Sequence, residues 1–264
     1  MGSSGEIYIY IVVLFLALLG WKVRALTVSG AISAFFVGSI IYLGFSFEGL
    51  ILLGAFFATS SLLSKYKRRQ KGFLEDILEK GDRRDYLQVL ANGGVPAIVS
   101  IIYTLTPDSL LLVVFCTSLA AANADTWASE VGTLSKGKPR MLLTLMKVSR
   151  GTSGAVSWLG TRAAIGGALF IAFVALVTFQ LEFHHFLLIL SFGFIGNLFD
   201  TILGSTLQVT YTCSQCGIKT ERRIHCEKTG NQSSGLTLVN NDVVNFMAIL
   251  LSSIFVFFIL FVTG

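Results

Sequence analysis

The sequence predicts an all-helical integral membrane bundle of about eight transmembrane helices, and three observations predict it. Of 264 residues, 53% are hydrophobic and only 13% charged, with a mean hydropathy of +0.74. A soluble domain carries about 25% charged residues, so polar surface is too scarce here to coat a water-soluble globule. Apolar segments recur at the ~20-residue length that crosses a ~30 Å hydrocarbon core. The basic residues crowd into alternate connections between those segments. The apolar content excludes a disordered chain, and four cysteines are too few for a disulfide scaffold.

The expected spans cover residues 6–21, 26–44, 48–64, 86–105, 109–128, 160–180, 184–207 and 238–262. The first lacks a charged n-region and a small-residue cleavage site, so it reads as a retained helix rather than a signal peptide. Glu6 stands where N-myristoylation requires Ser or Thr. In the second span Gly30, Ala34 and Gly38 form a small-xxx-small stripe that lets helix backbones approach closely. The fourth and fifth are the least regular, interrupted by Asn92-Gly93-Gly94 with Pro96 and by the polar run Asn123 to Glu130. The seventh sets Gly193, Asn197, Asp200 and Gly204 on one face, with Phe, Leu and Ile on the other.

With eight spans the alternate connections are 22–25, 65–85, 129–159 and 208–237. Nineteen of the twenty Lys and Arg fall in them, and Arg162 sits just inside the sixth span. The opposite connections hold Glu48, Asp108, Glu182, His184 and His185 and no Lys or Arg. The positive-inside rule puts both termini outside and the basic loops in the cytoplasm, in a plasma or equivalent inner membrane. The net charge of +5 and the pI near 9.1 then report topology and attraction to anionic headgroups, not nucleic acid. The chain reads as one membrane domain, residues 1–264, with 208–237 a cytoplasmic loop between the last two spans.

Ionisable groups inside spans are costly, roughly 2.5–3.5 kcal/mol each on insertion scales, and are functional candidates by default. Three spans carry them: Asn123, Asp125 and Glu130 on the fifth, Asn197 and Asp200 on the seventh, and Asn240, Asn241, Asp242 and Asn245 on the eighth. All lie toward the predicted cytoplasmic ends. Asp125 and Glu130 are about 140° apart around a regular helix, so they share a site only if the helix breaks or the pair brackets a cavity. Carboxylates and Asn amides are hard oxygen ligands suited to Mg²⁺ bound together with substrate phosphates. The following loop supplies Lys136, Lys138, Arg140, Lys147 and Arg150, then the turn Gly151-Thr152-Ser153-Gly154. Such a turn opening a helix offers backbone N–H groups to an anion, with basic side chains beside it. The same basic residues also serve as topology determinants. No Walker A sequence occurs. Met141 to Met146 reads as a short lid or re-entrant piece at the interface.

The connection from Tyr211 to Gly235 is hydrophilic and carries Cys213-x-x-Cys216, then His225-Cys226. This is a Cys₃His set for structural zinc, although adjacent His and Cys are awkward for one ion; a metal-free thiol loop is the alternative. A structural disulfide is disfavoured in a reducing cytoplasm. Cys116, alone in an apolar run, reads as a core residue.

The blocks 123–132 (NADTWASEVG), Lys138-Pro139-Arg140, 151–157 (GTSGAVS), 196–208 (GNLFDTILGSTLQ) and 240–246 (NNDVVNF) resemble the signature blocks of the phytyl-phosphate kinase family. The resemblance runs from about residue 24 to the end. More distantly, Asp125-x-x-Ala128-Ser129-x-x-Gly132 with basic residues and a Gly-Ser/Thr turn is similar to the CTP-dependent dolichol and phytol kinases. The resemblance implies transfer of a γ-phosphoryl group from a nucleoside triphosphate, CTP above others, to a prenyl monophosphate such as phytyl phosphate. It implies Asp125, Glu130, Asp200 and Asp242 as Mg²⁺ ligands or acceptor-orienting groups. Lys136, Lys138, Arg140 and Arg150 would hold phosphates cradled by Gly151, Thr152 and Ser153, with Asn123, Asn197, Asn241 and Asn245 as further ligands. The partners implied are the lipid phosphate and the nucleotide; a homo-oligomer stays open. A lipid-phosphate transporter or flippase and a CDP-lipid-forming cytidylyltransferase are the competing expectations. The repeated N-x-D-T at 123–126 and N-x-x-D-T at 197–201 hint at related halves, as transporters have.

Overall fold

The computed structural model describes residues 3–67, 77–79, 81 and 83–263. Met1 and Gly2, and four basic residues of the 65–85 connection (Arg68, Arg69, Lys71 and Lys80), lie outside the described residues. The described residues form seven helices: α1 (Ser3–Lys22), α2 (Val28–Lys65), α3 (Tyr86–Leu105), α4 (Ser109–Gly132), α5 (Trp158–Thr178), α6 (Phe183–Thr206) and α7 (Asn241–Thr263). Six of them, α2 to α7, are long and apolar enough to cross a membrane; in α1 the apolar stretch is the shorter Ile7–Lys22.

Two expected spans, 26–44 and 48–64, fall in the single element α2, which breaks sharply at Phe45 (φ −116°, ψ 17°) and Ser46 (φ 52°, ψ −147°). The break reverses the chain. Gly38 lies against Leu50 and Leu53, and Lys65 Nζ donates to Val23 O at 2.7 Å, closing the far end of the second arm onto the approach to the first. The arms 28–44 and 47–65 are therefore an antiparallel helical hairpin. Gly44 immediately precedes the turn and lies against the backbone of Ser100 in α3. The interruptions expected in the next two spans do not break them: α3 runs through Pro96, and α4 continues through Asn123 to Glu130.

α4 is the axis of the bundle. Every residue from Val113 to Ala124 is buried, and α2, α3, α5, α6 and α7 all pack on it. A helix hydrophobic all round belongs in the middle of a protein. Its small side chains admit neighbours at backbone range. A Cβ on Gly193 would fall 2.7 Å from Ala120 Cβ, one on Gly196 2.5 Å from Ala121 Cβ, and one on Gly167 3.0 Å from Asn123 O. Gly30 serves a different neighbour from the helix expected there: it faces the backbone carbonyl of Arg84, whose N–H in turn bonds Ala25 O at 3.0 Å.

The two ends of the bundle differ. At one end Phe45 stacks on Tyr103 and Phe115, with centroids 4.4 Å and 4.1 Å away, and Phe179 meets Phe45 and Phe115 edge-on. At the other end all the basic connections meet. Arg84 pairs its backbone with Ala25 and Thr27, Ser64 bonds Glu130, Gly132 abuts Gly160, and Glu221 N–H bonds Ile77 O.

Two of these connections contain strands, so the chain is mostly rather than wholly helical. The α4–α5 connection has a short antiparallel pair, β1 (Arg140–Met141) with β2 (Ala155–Val156). Within it Met141 N–H bonds Met146 O, and Leu143, Leu145 and Met146 are exposed at the tip. The α6–α7 connection holds β3 (Thr210–Thr212), β4 (Lys219–Thr220), β5 (Ile224–His225), β6 (Lys228–Thr229) and β7 (Asn231–Ser234). There β3 is central in a three-stranded sheet of order β4-β3-β7, and β5–β6 is a separate hairpin.

The α4–α6 contact admits a direct test. Gly196→Ala is expected to lower the thermal unfolding midpoint of the detergent-solubilised protein, because overpacking costs about 1–3 kcal/mol. Gly54→Ala, whose new Cβ meets nothing within 4 Å, is expected to leave the midpoint unchanged or raise it. Equal midpoints for the two variants would contradict the close-packing assignment.

Candidate functional site

A cavity of about 330 Å³ opens at the end of the bundle where the basic connections meet. α4 and α6 build its floor. They run in parallel at the close approach set by Gly193 and Gly196, and one turn further on Asp125 and Asp200 come within hydrogen-bonding reach of each other. Two carboxylates at that range repel unless a proton or a cation lies between them. α7 adds a third wall. Asn240 caps it by accepting from Val243 N–H at 3.1 Å, which starts the helix beside the cavity and places buried Asp242 there. One turn on, the Asn245 amide donates to Asp200 Oδ2 at 2.9 Å and to Asn241 O at 3.1 Å.

Asp125 and Glu130 bracket the cavity from one unbroken helix. Glu130 accepts a bond from Ser64 Oγ at 2.6 Å and faces Arg84. Arg84 just precedes α3. Its guanidinium donates to Ser61 Oγ at 3.0 Å and lies over the rings of Phe56 and Phe57. Burial pushes this guanidinium below its ordinary range, and the Glu130 carboxylate opposes that shift.

The Gly/Ser/Thr turn forms the rim. Gly151 (φ 83°) and Gly154 (φ 73°) take the left-handed conformation that glycine adopts without a Cβ clash, and Gly154 lies directly against Ser205 of α6. The turn does not itself open a helix. Strand β2 intervenes, and Ser157 caps α5 by accepting from Gly160 N–H at 3.1 Å. Ser153 Oγ donates to Gln208 Oε1 at 2.6 Å, and Gln208 Nε2 donates to Glu221 Oε1 at 2.7 Å. Burial pushes the Glu221 carboxyl up to about 7; the bonds from Gln208 and Glu79 N–H pull it down, and the charges of Glu79 and Asp242 add to the rise.

Of the residues expected from sequence, Asp125, Glu130, Asp200, Asp242, Arg150, Gly151, Thr152, Ser153, Asn197, Asn241 and Asn245 line this cavity. Asn123 does not. It is fully buried below the floor, its amide donating to Gly167 O at 2.8 Å and its oxygen accepting from Thr59 and Ser60. It clamps α2, α4 and α5 together. Lys136, Lys138 and Arg140 are exposed and outside the lining, and Arg140 donates to Leu145 O within its own turn. Sequence reasoning missed Arg84, Asn92, Glu79 and Glu221, all of which line the cavity. Arg84 and Glu221 looked like ordinary members of charged loops; only tertiary contact turns them inward.

Charge sets the chemistry. Among the described residues the lining holds six carboxylates (Glu79, Asp125, Glu130, Asp200, Glu221 and Asp242) against the guanidiniums of Arg84 and Arg150. Such a cavity favours cations, and it takes a polyphosphate only together with them. A second, apolar cavity of about 500 Å³ lies between α1, α2 and α3, and Arg84, Gln88 and Asn92 line both. Asn92 Oδ1 is buried at this shared wall without a hydrogen-bond partner among the described residues.

The four sulfur and imidazole ligands expected in the α6–α7 connection also come together. The ligand atoms of Cys213, Cys216, His225 and Cys226 all lie within 4.8 Å of one another. Cys116 is buried in the core, apart from them.

The bundle and its cavity define a polytopic integral membrane protein with a polar, acid-rich site at one end. The chain belongs to the family described as integral membrane protein DUF92, whose model matches residues 11–253. It is 31% identical to Protein PGR of Arabidopsis thaliana over 94% of this chain and 93% of that protein. It is 32% identical to an uncharacterized membrane protein of Methanocaldococcus jannaschii, over 75% of this chain and 81% of that one. Identity to the chloroplastic Protein VTE6 of Arabidopsis thaliana is 29%, over 88% of this chain and 64% of that protein. These matches fit the resemblance to phytyl-phosphate kinases. No solved structure matches the chain.

Glu221 gives a test of the site's electrostatics. Its folded pKa is raised above the ordinary 4.5, so the folded state holds the proton more tightly, and this group's stabilisation is lost as pH rises from 4.5 through 7. Glu221→Gln is therefore expected to flatten the fall of the thermal midpoint across that window and to raise it above pH 7. An unchanged pH profile would show that Glu221 is not buried against the other carboxylates.

Proposed function

We propose that this protein is a membrane prenyl-phosphate kinase that transfers the γ-phosphoryl group of a nucleoside triphosphate, CTP above others, to a prenyl monophosphate. The observation that carries the reading is the pair of neighbouring cavities, one acidic and polar, the other apolar, with Arg84 in the wall they share. An amphipathic acceptor needs that combination: a phosphate head among charges and a prenyl tail among apolar side chains. The tail gains little hydrophobic energy on leaving lipid for the apolar cavity, so the cavity selects by shape.

In the topology that goes with this reading, the two arms of α2 cross separately, giving eight crossings. The basic connections face the cytoplasm and both termini lie opposite. The nucleotide enters from water and the prenyl phosphate from the inner leaflet.

Asp125 and Asp200, already within reach of each other, fit a hard divalent cation, with Asp242 and Asn241 beside them and Asn245 orienting Asp200. Bound Mg²⁺ would neutralise the triphosphate. Arg84 holds the acceptor phosphate at the mouth of the apolar cavity, fixed there by Ser61 and Glu130. Arg150 and the 151–154 turn hold the nucleotide phosphates at the rim. An oxygen of the prenyl phosphate attacks the γ-phosphorus, the bond from that phosphorus to the bridging β-oxygen breaks, and the products are CDP and prenyl diphosphate. Phosphoryl transfer of this kind depends mostly on positioning and charge neutralisation.

Incubating the purified protein in lipid with γ-labelled CTP and phytyl or geranylgeranyl phosphate is expected to give labelled prenyl diphosphate and CDP. Asp125→Asn, Asp200→Asn and Arg84→Ala are each expected to lower turnover by about 10²-fold or more. Release of pyrophosphate would identify a cytidylyltransferase instead, and intact CTP with translocated lipid phosphate a flippase. Undiminished turnover in both Asp variants would remove these carboxylates from the mechanism.

A further inference from the structure

We propose that Cys213, Cys216, His225 and Cys226 hold one zinc ion, which ties the two hairpins of the α6–α7 connection together and fixes Glu221 in the cavity wall. The inference does not depend on the kinase reading.

The first pair sits on a metal knuckle. Cys213 directly follows β3, its N–H donating to Ile218 O at 2.9 Å, and Gly217 N–H closes the turn onto Cys213 O at 3.0 Å. Gly217 has φ 72° with open space where a Cβ would stand, so glycine is there for the turn and not for packing. The Gln215 N–H points at Cys213 Sγ, 3.4 Å away. Backbone N–H groups directed at a cysteine sulfur steady a thiolate ligand.

The second pair answers the objection that neighbouring His and Cys cannot serve one ion. His225 ends β5, and the two-residue turn to β6 is Cys226-Glu227, with φ of 52° and 59°. Left-handed φ at both central positions defines a tight hairpin turn that normally calls for Gly or Asn. Here a cysteine takes it. The turn brings Cys226 Sγ to 3.2 Å from His225 Nδ1, and Cys216 Sγ lies 3.5 Å from the same nitrogen. Tetrahedral zinc, with Zn–S about 2.3 Å and Zn–N about 2.0–2.1 Å, sets its ligand atoms about 3.5–3.8 Å apart. The observed set, all within 4.8 Å, needs only a small contraction at its widest pair. Three sulfurs and an imidazole in tetrahedral reach select zinc over hard cations such as Mg²⁺.

The consequence reaches the cavity through β4. Thr220 Oγ1 and Glu221 N–H both bond Ile77 O at 2.8 Å, and Arg222 Nε bonds Leu78 O at 2.8 Å. These residues run from the knuckle to the second pair, so an ion joining the pairs pins both ends of the segment that carries Glu221. Strands of two residues each are too short to hold that segment by pairing alone.

Elemental analysis by mass spectrometry of protein purified without chelator tests the proposal. About one zinc per chain is expected, released by an organomercurial as the thiols are titrated. Cys216→Ser and Cys226→Ser are each expected to lower bound zinc several-fold, while Lys219→Ala keeps it. Zinc removal from the wild type is expected to speed tryptic cleavage at Arg222 and Arg223. Zinc below about a tenth per chain in the wild type, iron in its place, or a Cys213–Cys216 disulfide in the intact mass would overturn the site. Zinc present but without effect on cleavage would overturn its role in fixing Glu221.

Discussion

Everything at the site depends on how closely α6 lies against α4. Gly193 and Gly196 present no side chains to Ala120 and Ala121, so the two backbones approach at a range that larger residues would forbid. That approach, carried one turn toward the basic end of the bundle, puts Asp125 and Asp200 in reach of each other. In a bilayer there is no hydrophobic gain from pressing two apolar helices together, and tight van der Waals contact between small residues must do it instead. The same contact works against charge repulsion between the two carboxylates. The packing is therefore the constraint and the acid pair its consequence.

Around that pair the structure gathers groups from the α2–α3, α4–α5 and α6–α7 connections at the basic end. Arg84 arrives from the α2–α3 connection because Gly30 leaves room for its backbone and Ala25 and Thr27 bond it there. Glu221 arrives from the α6–α7 connection because Gln208 and the 77–79 segment hold it. Asn123, two residues before Asp125, ties the three helices together beneath the floor. Opposite, the aromatic cluster of Phe45, Tyr103, Phe115 and Phe179 closes the other end. One end is built for rigidity, the other for charge.

Much of this was legible in the sequence. The membrane class followed from composition, and the shared end of the basic connections from their alternation along the chain. The convergence of Asp125, Asp200 and Asp242 was visible because ionisable residues within apolar spans are rare enough to stand out singly. Other features carried no such contrast. Arg84 and Glu221 sit in loops rich in charge, where nothing in their neighbours distinguishes an inward from an outward side chain. Lys136, Lys138 and Arg140 show the converse, basic residues beside the Gly/Ser/Thr turn that nonetheless face solvent. The reversal at Phe45-Ser46, by contrast, was legible as the gap between the expected spans 26–44 and 48–64. The strands of the α6–α7 connection are two to four residues long, shorter than any alternation pattern can register.

The central claim is that Asp125 and Asp200 act as one cation site. Electron paramagnetic resonance of Mn²⁺ added to the purified protein measures this without reference to any substrate. The account predicts a tight Mn²⁺ population in the wild type that Asp125→Asn and Asp200→Asn each abolish, with no further loss in the double variant. Mn²⁺ binding that survives in both single variants, or that falls independently in each, would contradict it.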